Sequence, residues 1–148
     1  MEYVKIIGAY IAAAIVTVVL ASAFFTQRII AAQTAIGIEY TPAQQSETYL
    51  MNFVGLAPSY GLMLAIALLI GFVVAYGVKQ ILRPLAPIAY PVAGAAAVLT
   101  VIFLIETIMA KGGAGAIGGA RDALGLALQG LAGAVGGTVF ALLTRRKA

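Results

Sequence analysis

Apolar residues dominate this chain in long uninterrupted runs, and polar or charged positions fall almost entirely between them. Four stretches carry no charge at all: 6–27, 48–78, 84–105 and 123–144, of 22, 31, 22 and 22 residues. Every other interval between charges is 10 residues or shorter. A hydrocarbon core of about 30 Å needs roughly 20 apolar residues at 1.5 Å each, because backbone amides in lipid must be satisfied within the helix itself. The pattern predicts an all-α, polytopic membrane bundle of four transmembrane helices, with spans near 6–25, 60–78, 88–110 and 123–143 and an outer segment over 26–58. Four helices of this length use most of 148 residues, so the whole chain, 1–148, forms a single membrane domain.

Breakers refine the outer segment. Residues 29–36 are rich in Ala and Ile and contain no breaker before Gly37, so the first helix should run from about Tyr3 to Ile36 and protrude beyond the bilayer. Thr41 and Pro42 then read as an N-cap and first helical position. They open a short amphipathic helix through about Val54 that closes near Gly55. Its apolar residues Tyr49, Leu50, Phe53 and Val54 suit either the membrane surface or the protruding end of the first helix. Arg83, Pro84, Pro87 and Pro91 predict a stiff turn into the third span, since proline lacks a donor and restricts its predecessor. Tyr3, Tyr60, Tyr76 and Tyr90 are expected to anchor at the interfaces, where a phenol meets headgroups or water.

Charge sets the expected orientation. With four spans, Lys5, Lys79, Arg83, Arg145, Arg146 and Lys147 share one side, against Arg28, Lys111 and Arg121 on the other. Lys and Arg beside a span resist translocation, so both termini are expected in the cytoplasm, in a bacterial inner membrane. Residues 6–20 have the length of a signal-peptide core, and Ala21, Ser22 and Ala23 resemble a cleavage site. Glu2 nearly cancels Lys5 in the leading region, however, so the segment is expected to be retained.

Composition narrows the chemistry. The chain is 63% apolar and 9% charged, where a soluble domain carries roughly 25% charge. Cys and His are both absent, which removes disulfides, thiolate nucleophiles, imidazole bases and His- or Cys-ligated metals. Neither a metal nor a cofactor is expected. Three terminal cations without an aromatic or groove-reading platform do not make a nucleic-acid binder. Gly113-Ala114-Gly115-Ala116-Ile117-Gly118 matches G-x-G-x-x-G, but a membrane span precedes it and no acid follows Asp122, so nucleotide binding is not expected.

The last span carries the most information. At 100° per residue, Asp122, Gly125, Gln129, Gly133, Gly136, Gly137 and Phe140 fall within about 60° of one direction. Gly133 and Gly137 form a GxxxG on that stripe. Lipid provides no hydrophobic drive between helices, so association there relies on close backbone approach. The stripe therefore packs within one bundle, forms an interface between copies, or lines a substrate path. Gln129 lies near mid-membrane and should bond across a helix interface. Glu106 sits in the last turns of the third span, where an acid needs a cation or a proton. An antiparallel fold of the last two spans predicts a Glu106–Arg121 pair, with Asp122 either sharing that arginine or capping the fourth span.

Three functional classes follow. The first is a non-enzymatic membrane protein that associates with itself or with a larger membrane complex through the 125–137 stripe and the protruding segment. The second is an oligomeric small transporter or channel using Glu106, Arg121, Asp122 and Gln129. The third is a membrane enzyme acting on a lipid-like substrate. No nucleophile-plus-base pair emerges for that last class.

Overall fold

The computed structural model describes residues 1–109 and 122–145. The described residues are helical with short connections and contain no strand. Helix α1 spans Glu2–Ala35, α2 Pro42–Leu56, α3 Leu62–Ile81, α4 Ala89–Met109 and α5 Ala123–Thr144. A π turn, Ala57–Gly61, joins α2 to α3, and a 3-10 turn, Arg83–Leu85, precedes α4. Four helical segments are long and apolar enough to cross a membrane: Glu2–Ala35, Pro42–Ile81, Ala89–Ile108 and Ala123–Thr144.

Local chemistry explains the ends. α1 has 34 residues, hence about 51 Å of helix against a hydrocarbon core of about 30 Å. It stops in a Schellman motif: Gly37 N–H donates to the Thr34 carbonyl at 3.0 Å, and Ile38 N–H to that of Gln33 at 3.1 Å. Gly37 has φ +92, a left-handed value that disfavours any side chain. α2 opens with a reciprocal capping box. Gln44 N–H donates to Thr41 Oγ1 at 3.3 Å, and Thr41 N–H to Gln44 Oε1 at 3.0 Å. Proline stands at the first helical position, where a missing N–H costs nothing.

The chain departs from expectation after Val54. No end forms at Gly55, and the helix continues through Pro58 as one 40-residue segment. Pro58 has no N–H for the carbonyl four residues back, and its ring would collide with that carbonyl in a regular α-helix. The widened π turn absorbs both problems. The expected short outer helix is instead the upper part of the second long helix, running antiparallel to α1. Tyr40 Oη donates to Gln33 Oε1 at the tip of this hairpin. Farther down, Asn52 Nδ2 donates to Thr26 Oγ1 at 3.1 Å, and Tyr10 Oη to the Ala65 carbonyl at 2.7 Å. Half-buried Thr48, Tyr49, Asn52, Phe53 and Leu56 face α1, while Leu50, Met51 and Val54 are exposed.

α5 is wedged between α1 and α4, while α3 packs chiefly on α4 and touches α1 only sparsely. One core cluster, with Ala21, Leu64, Val98, Ile102 and Ala132, fills the half near the π turn. The other, at the opposite end, is built around Phe72, Tyr90 and Phe140. Phe72 and Phe140 stack at 4.5 Å, and Tyr90 meets both rings edge-on at 5.8 and 4.9 Å. Two tyrosines expected at the interfaces are therefore interior: Tyr60 and Tyr90 are both buried, whereas Tyr3 and Tyr76 are exposed.

Candidate functional site: the inward side of the last helix

The side of α5 that carries Gly125, Gln129, Gly133, Gly136, Gly137 and Phe140 is buried against α1 and α4 of the same chain. Glycine is required at the closest approaches. A Cβ on Gly133 would overlap the Gly94 carbonyl, and one on Gly94 would overlap the Gly133 carbonyl. On Gly137 it would meet the Tyr90 carbonyl, and on Gly136 the Thr17 hydroxyl, with the Ala13 carbonyl 3.0 Å away. Backbones this close gain many packing contacts at once, which drives helix association where lipid provides no hydrophobic force. Because this side is occupied within the chain, association with a second copy through it would require α5 to leave α1 or α4. Of the three roles open to the stripe, packing within one bundle is the one this chain's own helices fill.

Gln129 is fully buried at the centre of that seam and ties three segments together. Its Oε1 accepts from Tyr60 Oη at 3.1 Å, and its Nε2 donates to the Ala21 carbonyl at 3.0 Å. The π turn delivers Tyr60: a helix widened around Pro58 turns this phenol inward, where it reaches α5. Other buried hydroxyls are mostly satisfied locally. Thr17 donates to the Ala13 carbonyl and Thr26 to that of Ser22, both at 2.9 Å. Ser22 Oγ, also buried, has no hydrogen-bond partner among the described residues.

Asp122 does two jobs at the other end of α5. Its Oδ1 accepts from Gly125 N–H at 2.8 Å as a helix N-cap, and its Oδ2 pairs with the Arg28 guanidinium of α1. Both groups are partly solvent-exposed, so the pair is worth about 0–1 kcal/mol and the cap about 1 kcal/mol. Sequence reasoning missed Arg28 as a partner. The signal was present, since four spans put Arg28 and Asp122 on the same side. Glu106 is half-buried near the end of α4. Arg121, and with it the expected Glu106–Arg121 pair, lies outside the described residues, as does the glycine-rich 113–118 motif. Among the described residues no group of three or more acids, histidines or cysteines is gathered that would hold a metal ion.

No family model, curated protein or solved structure matches this chain.

Proposed function

We propose that the protein is a non-enzymatic integral membrane component that works by association, with a second copy or as an accessory subunit of a larger membrane complex. The association surface is the uncovered face of the α1–α2 hairpin. One observation carries this reading: the glycine-lined side is closed by the chain's own α1 and α4, while Leu50, Met51 and Val54 are 61–66% exposed on the outward face of α2. The distribution of cations supports an inner membrane with both termini in the cytoplasm. The transporter reading through Glu106, Arg121, Asp122 and Gln129 has less support. Both ends of the Gln129 amide are engaged inside the bundle, and Asp122 is occupied by its cap and by Arg28.

The absence of cysteine makes the test direct, because single cysteines can be placed without any background substitution. Leu50→Cys or Val54→Cys should crosslink in native membranes to a second copy or to one defined partner, and Val73→Cys on α3 should not. A strictly monomeric product at positions 50 and 54 overturns the reading. Labelling of Glu39→Cys from outside the cell and of Lys79→Cys only after permeabilisation is the expected topology result.

A further inference from the structure

At the end of the molecule opposite Asp122, α3 stands away from α1 and leaves a cleft of about 940 Å3 between α1, α3 and α5. Its volume falls within the range of about 300–1,000 Å3 usual for small-molecule sites. The floor is the aromatic group Phe72, Tyr90 and Phe140. The rim carries three cations, Lys5, Lys79 and Arg145, against one carboxylate, Glu2. Lys5 Nζ leans across to the Arg145 carbonyl at 3.4 Å, closing the last turn of α5. Lys79 Nζ stands 5.2 Å from the centroid of the Tyr90 ring and 5.9 Å from that of Tyr76. Both lysines are thus held over the cleft by the fold.

The lateral wall is apolar. Leu69 and Val73 of α3 line the cleft and are exposed on the outside of the bundle. From Lys79 back to Leu69 is ten residues of helix, about 15 Å. The cleft therefore presents positive charge at the level of the helix ends and a greasy track running from there toward the bilayer centre. A soluble anion would use only the first of these features, and a neutral lipid only the second.

We propose that this cleft binds one anionic glycerophospholipid, its phosphate against Lys5, Lys79 and Arg145 and an acyl chain along Leu69 and Val73 over the Phe72 ring. The site is independent of the hairpin surface, which lies at the other end of the molecule, so the two readings stand or fall separately.

The test uses the full-length protein in detergent, mixed with equal amounts of phosphatidylglycerol and phosphatidylcholine of identical chains, with retained lipid counted by native mass spectrometry. Phosphatidylglycerol should be retained in preference. Lys5→Gln, Lys79→Gln and Arg145→Gln should each lower that preference about fivefold, the size of one basic side chain at an anionic surface. Arg83→Gln, an exposed cation at the same end but outside the cleft, should leave it unchanged. Val73→Trp, which fills the track without changing charge, should lower retention of both lipids. Circular dichroism confirms that each variant keeps its helices. Equal retention of the two lipids overturns the proposal, as does an Arg83→Gln effect as large as that of Lys79→Gln. Displacement by excess glycerol 1-phosphate, or indifference to Val73→Trp, overturns the amphiphile in favour of a free phosphate or a purely superficial contact.

Discussion

The seams that α5 makes with α4 and α1 differ in kind from the seam between α1 and α3. At the first, glycine faces glycine or a backbone carbonyl, and the helices touch main chain to main chain. At the second, Phe72 on α3 stacks with Phe140 and leans toward α4 and α5, and Tyr10 reaches across alone to the Ala65 carbonyl. Helices that meet through small residues close completely, while those separated by large rings leave space. In a bilayer that contrast matters more than in water, because no hydrophobic drive pulls a loose pair shut. The closed seam serves as a frame and the open one as a recess.

Substitutions at glycine should separate the two regimes. Gly133→Ala places a methyl group into the Gly94 carbonyl and forces α4 from α5. A loss at or above the usual overpacking cost of about 1–3 kcal/mol is expected, read as a lower unfolding midpoint in mixed micelles. Gln129→Leu keeps the volume but strands the Tyr60 hydroxyl, and should cost about 1–2 kcal/mol in the same assay, with Tyr60→Phe costing less. Asp122→Ala removes the cap and the partner of Arg28, for about 1 kcal/mol, and Arg28→Gln should cost less because the cap survives. The smallest change has the opposite sign. Gly77 on α3 has nothing near its missing Cβ, so Gly77→Ala should stabilise by about 0.5–1 kcal/mol through helix propensity. If Gly133→Ala behaves like Gly77→Ala, the closed seam does not hold the molecule together.

The charge gaps located four long apolar helices, because a span leaves its mark on every residue it contains. Gly37 and Thr41 were legible for a related reason: caps depend on a few adjacent residues and little else. The small-residue side of α5 was visible as periodicity, but its neighbours were not. Which helices lie beside it depends on packing between segments far apart in sequence, and three outcomes stayed open. The same limit hid Arg28 as the partner of Asp122 and placed Tyr60 and Tyr90 at an interface when they lie inside. Gly55 misled for a local reason. It is a breaker in isolation, yet one extra residue in the following turn was enough to carry the helix on through Pro58.

That unbroken passage links the phase of α2 to that of α3. Removing one residue between Phe53 and Leu56 would swing everything above the deletion by about 100° relative to the anchored bundle. Thr48, Tyr49 and Phe53 would then turn away from α1 together. The linker around Ile38–Tyr40, being non-helical, would tolerate the same loss without any such rotation. The hairpin therefore behaves like a screw thread, in which length and facing direction cannot be varied independently.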